Sequence, residues 1–203
     1  AAAAALLGAD CVRLWHDQAL YKESGGRKTD AHLDFPFWPV DKTDLVSSWI
    51  PFDNVNPGGG MMSYVKGSHR SGITDFADIG QLHGDMSYDI LQHPQVASLP
   101  LVPIQARKGC VIFHHACTIH CADANDKART RRVFTMGYMA DGLRRSREDP
   151  YFALDRDNIF KGELVVGPGH PVAWPRTNEK LPTPPKLLGP KTGFGSSEAN
   201  KFK

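Results

Sequence analysis

Between residues 11 and 142 the chain is cut into short runs of β-branched and aromatic residues, each closed by a cluster of Gly, Pro, Asn or Ser. The runs are CVRLWHDQALYKE, DLVSSWIPF, MMSYVKGSHRSG, LVPIQA, CVIFHHACTIH and RRVFTMGYMA; the breaks include SGGRKTD, DNVNPGGG, RKG and CADANDKART. Such runs read as strands and such breaks as turns. No helical pattern alternates with them, which argues against a parallel βαβ sheet and for an antiparallel sandwich or barrel. The predicted architecture is an all-β core with flanking helices, arranged as a jelly roll.

The two ends read differently. The opening AAAAALLGAD is the end of a helix stopped at Gly8, and it lacks the basic start of a secretion signal, so preceding residues are expected to be absent. From residue 143 onward the chain is rich in Pro and Gly and predicts no regular element; it is expected to wrap over the domain or stay loose. Residues 73–100 show no clean period beyond a short helix in DILQHPQVASL. The expected organisation is one domain over 1–203, with a core at about 11–142 and an extension at about 143–203.

Composition excludes several classes. With 24 Lys and Arg against 22 Asp and Glu, and no block of like charge, no nucleic acid partner is indicated. The most basic segment, GLRRSRED, is flanked by acids and reads as a solvated face. No apolar stretch reaches the roughly 18 residues that cross a bilayer. Cys11, Cys110, Cys117 and Cys121 lack C-x-x-C spacing, so reduced thiols in a cytoplasmic protein are expected.

One stretch carries chemistry. In TDAHLDFPFWP, residues 29–39, His32 and Asp34 stand two apart, and in an extended strand they would share a face. The plain alternative is a polar pair on the wet side of a half-buried strand. A transition metal needs a third ligand from a distant strand, and His120 is the candidate. Two histidines and one carboxylate leave three octahedral positions open, the arrangement associated with non-haem Fe(II) oxygenases.

After His120 the chain reverses and reaches Arg131 and Arg132, where a guanidinium could grip the far carboxylate of a dicarboxylic acid. In a regular strand only one of the two faces inward. The plain alternative is that both decorate a strand edge. His114 and His115 read as packed or hydrogen-bonded residues and His69 as part of a turn. His16, His83, His93 and His170 have no partner at ligand spacing and read as structural or surface residues.

In this order, HDQALYKESGG, HLDFPFWPVDKTDLVSSWIPFDNV, KGSHRSG and GCVIFHHACTIHCADANDKARTRRV resemble the phytanoyl-CoA dioxygenase family of Fe(II)- and 2-oxoglutarate-dependent oxygenases, over about 11–142. The resemblance implies a cupin-like double-stranded β-helix using Fe(II), 2-oxoglutarate and O2 to hydroxylate a C–H bond of a small organic or acyl substrate, with succinate and CO2 as coproducts. It implies that His32, Asp34 and His120 bind iron and that Arg131 anchors the cosubstrate carboxylate, with Arg132 as the fallback. Trp49 would line the cosubstrate pocket, and Gln18 and Lys22 would add polar groups. The retained Asp34 favours hydroxylation over halogenation.

Gly109–Cys110 and the glycine run NPGGGMM depart from the family pattern, and neither removes a ligand. Two alternatives stay open: a metal-dependent hydrolase or isomerase needing no Arg131, and a degenerate binding module. Residues 73–100 and the chain after 143 are the expected specificity elements. Oligomeric state is not indicated.

Overall fold

In the computed structural model, which describes residues 1–75 and 89–176, the turn signals close strands where the sequence places them. A short helix α1 (Ala2–Leu7) ends at Gly8, whose φ of 62° is the left-handed cap that glycine adopts without strain. Among the described residues nine strands follow: β1 (Val12–Lys22), β2 (Thr29–His32), β3 (Leu45–Pro51), β4 (Met62–Val65), β5 (Leu101–Ile104), β6 (Ile112–His115), β7 (His120–Ala122), β8 (Arg131–Ala140) and β9 (Val172–Trp174). A second helix, α2, spans Phe152–Arg156.

The strands form two antiparallel sheets, ordered β6-β3-β8-β1-β9 and β2-β7-β4-β5. This is the expected jelly roll. Sequence-distant strands become neighbours, as β1 does with β8. Apolar side chains on the facing sides, among them Trp15, Leu33, Leu45, Val65, Ile119 and Met139, are buried in the interior.

Two cross-strand rows matter for the site. Ser47, Gly137 and His16 are partners across β3, β8 and β1, and Trp49, Thr135 and Gln18 form the next row. Between Leu14 and His16 the β1–β8 register shifts, so Trp15 is an extra residue on a bulge. Gly137 makes room for it: an added Cβ would meet Trp15 Cδ1 at 3.1 Å.

Three expectations are corrected. CVIFHHACTIH is two strands in different sheets, because Thr118 N–H turns back to the His115 carbonyl at 2.8 Å. The apolar run is unbroken because Ala116, Cys117 and Ile119 are buried where the chain crosses between sheets.

The segment after 143 also holds regular structure. Leu143, Leu154, Ile159 and Val165 join the core, and β9 extends the larger sheet beside β1. Within GLRRSRED, Arg145 is buried instead of solvated. Its guanidinium binds Asp155 Oδ1 at 2.7 Å and the carbonyls of Arg147, Asp149 and Ile159 at 2.7–2.8 Å. A polar spool of this kind leaves no hydrophobic period to read.

In DILQHPQVASL the helical element is a single 3-10 turn at Ile90–Gln92, capped by the Asp89 side chain. Residues 76–88, with His83, and the chain from 177 lie outside the described residues. Among the described residues no helix is long and apolar enough to cross a membrane.

Candidate metal centre and ligand chamber

β2 ends at His32, and Asp34 lies beyond it with helical φ −77° and ψ −35°, opening the 3-10 turn Phe35–Phe37. The two side chains therefore converge through a turn, not through the strand alternation the sequence suggested. The turn is held from the other sheet layer: the backbone N–H groups of Asp34 and Phe35 donate to the Ala116 carbonyl at 3.0 and 3.1 Å. His120, at the head of β7, is the direct cross-strand partner of His32.

The three side chains meet. His32 Nε2 and His120 Nε2 lie 3.9 and 3.8 Å from Asp34 Oδ1. All three potential ligand atoms fall within 4.8 Å of one another. A transition metal sits about 2 Å from such donors, so atoms at about 4 Å separation can share one ion.

Each imidazole is also aimed. His32 Nδ1 donates to the Asp30 carbonyl at 2.8 Å and His120 Nδ1 to the Thr118 carbonyl at 2.9 Å. A carbonyl only accepts, so each Nδ1 carries a proton and each Nε2 is the nitrogen left facing Asp34.

Electrostatics suit the same purpose. Burial by itself would raise the Asp34 carboxyl, but His120, His114 and His32 outweigh it and hold the group well below the ordinary carboxylate range. Burial pulls His120 down to about 3, which keeps it in the neutral form a metal requires. Ser47 Oγ donates to Asp34 Oδ2 at 3.4 Å, and His114 Nε2 lies at the same distance from that oxygen. His114 thus supports the carboxylate and is outside the three-residue set, as a hydrogen-bonded histidine should be.

The set opens into a chamber of about 300 Å³ between the sheets. Arg131 reaches it from β8 and is buried; its guanidinium carbon lies 5.5 Å from the Trp49 ring centroid and its Nη1 donates to the Gly60 carbonyl at 2.8 Å. Gln18 and Trp49 line the same chamber. Arg132 points the other way and grips Asp53 through Nε and Nη2 at 3.1 and 2.8 Å. Lys22 Nζ donates to the Asp123 carbonyl at 2.8 Å and to Thr29 Oγ1 at 3.2 Å, next to the chamber and not on its wall.

Buried polar atoms left without a partner among the described residues include Arg131 Nε, His114 Nδ1 and Tyr64 Oη. An unpaired buried polar atom is costly, and all three belong to side chains gathered about the metal set or the chamber. The donor set and these atoms fit a metal with a polar, anionic ligand beside it.

Several residues escaped sequence reasoning. Tyr64 stacks on His120 with ring centroids 5.9 Å apart; it faces His120 across the β4–β7 ladder. His16 lines the chamber, with Nδ1 at 2.8 Å from the Tyr151 hydroxyl. Strand alternation back from Gln18 would have placed it there. Tyr151, Trp38 and Phe37 complete that end and carried no local signal. His170 is fully buried between the Leu14 and Ala153 carbonyls, a structural residue.

Comparison with known proteins identifies the family and the fold. A curated relative, the phytanoyl-CoA dioxygenase domain-containing protein 1 homolog of Caenorhabditis briggsae, is 27% identical over 120 residues, 57% of this chain and 41% of the relative. The chain thus spans less than half of that relative's length. The crystal structure of the non-heme alpha ketoglutarate dependent carbocyclase SnoK from nogalamycin biosynthesis matches with a TM-score of 0.70 and 28% identity, covering 84% of this chain and 65% of SnoK. The epimerase SnoN, solved with Fe3+, alpha ketoglutarate and nogalamycin RO, matches with a TM-score of 0.70 and 26% identity over 84% of this chain and 68% of SnoN. The family described as Phytanoyl-CoA dioxygenase (PhyH) matches residues 1–133, and this chain belongs to it.

Proposed function

We propose that the chain is an Fe(II)- and 2-oxoglutarate-dependent dioxygenase that hydroxylates a C–H bond of a small organic or acyl substrate. The observation that carries this reading is the convergence of two Nδ1-anchored imidazoles on Asp34 Oδ1, in a chamber that also receives a buried arginine with an unpaired Nε. The ligand types and the open face suit Fe(II). The named cofactor chemistry of SnoK and SnoN supports the same choice.

His32, Asp34 and His120 would hold the iron. Arg131 would take the distal carboxylate of 2-oxoglutarate through paired hydrogen bonds, with Trp49 beneath its guanidinium fixing the plane. Gln18 and Thr135, in the Trp49 row, would add neutral polar contacts. Iron with O2 and cosubstrate supplies the oxidation of the C–H bond; one O2 and one 2-oxoglutarate are consumed, and the alcohol, succinate and CO2 are formed. The protein's part is to orient the substrate and keep bulk water from the reacting atoms.

A second outcome at the same centre, ring closure or epimerisation, is favoured by the similarity to SnoK and SnoN. Anaerobic addition of Fe(II) and 2-oxoglutarate tests the reading. A visible charge-transfer band, followed by succinate release on admission of O2, is the expected result. Hydrolysis or isomerisation without 2-oxoglutarate consumption would overturn it.

A further inference from the structure

The oxygenase reading occupies one wall and one end of the chamber; His16 stands at the other end. Ser47, Gly137 and His16 share a cross-strand row, and Ser47 touches Asp34. His16 is therefore level with the carboxylate of the metal set, two strands away, about 10 Å between backbones at ordinary strand spacing. Arg131 lies along β8 from Gly137 by about 20 Å of extended chain. The His16 end is thus distant from the arginine.

The bulge at Trp15 shapes that end. Trp15 fills the space above Gly137 and is fully buried, and His16 packs beside it with ring centroids 5.9 Å apart. Trp38 meets His16 edge-on at 5.5 Å. Tyr151 stacks on Trp15 at 5.1 Å and places its hydroxyl 2.8 Å from His16 Nδ1. Tyr151 is fixed in turn: its backbone N–H donates to Asp155 Oδ2 at 2.7 Å, and Asp155 Oδ1 accepts from buried Arg145.

This chain of contacts ends on one nitrogen. Burial pushes the Tyr151 phenol well above the ordinary tyrosine range, so it keeps a proton to give, and in the tautomer that the proposal below requires His16 Nδ1 accepts it. Nε2 then carries the imidazole N–H. Among the described residues Nε2 makes no hydrogen bond, and His16 lines the chamber. Burial pulls His16 down to about 4, so near neutral pH it offers a donor without charge.

We propose that His16 recognises the organic substrate, donating its Nε2–H to a neutral oxygen acceptor (carbonyl, ether or hydroxyl) on a body that packs against Trp38 and Tyr151. The proposal rests on the oxygenase reading and names its substrate class: a neutral, oxygenated, ring-bearing or apolar molecule. Tyr151 is a positioning residue.

The test compares 1-tetralone with tetralin, the same fused ring with and without an oxygen. Their binding is followed by quenching of tryptophan fluorescence in protein loaded anaerobically with Fe(II) and 2-oxoglutarate. The ratio of the tetralin Kd to the tetralone Kd is expected to fall about tenfold from wild type to His16→Phe, the size of one hydrogen bond between neutral groups. His16→Gln keeps an N–H and should retain part of the ratio; Tyr151→Phe should lower it about threefold. An unchanged ratio in His16→Phe, or no quenching of wild type by tetralone, overturns the proposal. The charge-transfer band is read in the same samples. A normal band with an unchanged ratio defeats the role of His16 alone, whereas a missing band in wild type defeats the oxygenase reading.

Discussion

His32 and His120 face one another across the β2–β7 ladder with ring centroids 4.4 Å apart, and each surrenders Nδ1 to the carbonyl two residues before it. Their ring planes are set by backbone, so they do not wait for an ion to be oriented. Asp34 alone is delivered by a turn. Replacing it leaves the imidazoles in place and removes the anionic member of the set.

Asp34→Ala should therefore abolish turnover and weaken Fe(II) binding by more than the roughly 10–100-fold typical of losing an outer partner of a metal ligand. Anaerobic titration of metal into the variant checks this. Full turnover in the variant would show that the ion is held elsewhere.

The two adjacent arginines separate cleanly. Arg131→Ala should weaken 2-oxoglutarate binding by about 2–3 kcal/mol, the range of hydrogen bonds to a charged group, and leave metal affinity unchanged. Arg132→Ala should spare the cosubstrate and cost only a little stability, because its guanidinium is exposed where it meets Asp53. Isothermal titration with 2-oxoglutarate distinguishes the variants, and the opposite pattern would move the anchor to Arg132.

Leu154 is fully buried on α2, in the segment read from sequence as irregular. Leu154→Ala should destabilise the domain by about 2–5 kcal/mol, measured by urea denaturation. A change below about 0.5 kcal/mol, the size of a surface substitution, would mean that the segment packs loosely.

Acid should weaken the fold through His16. Burial holds it at about 4 against a usual 6.5, so between these values the unfolded chain binds the extra proton and the folded one does not. Its stabilising contribution is complete above about pH 6.5 and is lost as pH falls toward 4, by at most about 3 kcal/mol. In His16→Gln the slope of unfolding free energy against pH should flatten over that window. An identical slope in both proteins would place the proton uptake on other groups.

Legibility followed chain locality. Most strands of the core were readable because each run is closed by its own turn, but the register of β8 with β1 was not, since the bulge at Trp15 shifts it. The grouping of His32, Asp34 and His120 could be proposed from sequence because His32 and Asp34 are close in the chain, and the structure brings the three side chains together, although the 3-10 turn that joins the first two carried no signal. Strand alternation narrowed Arg131 and Arg132 to one inward residue without choosing, because strand phase is set by partners, and only the family resemblance put Arg131 first. Tyr151 was invisible: its place depends on Arg145 and Asp155, and that polar spool has no periodic signature.

Tyr151 hangs from the Arg145–Asp155 pair and belongs to neither ladder. A substitution in that segment would therefore alter the proposed substrate end while leaving the turn and strands that position His32, Asp34 and His120 as they are. A fold divided in this way would let the proposed oxidative centre stay fixed while its clientele is renegotiated.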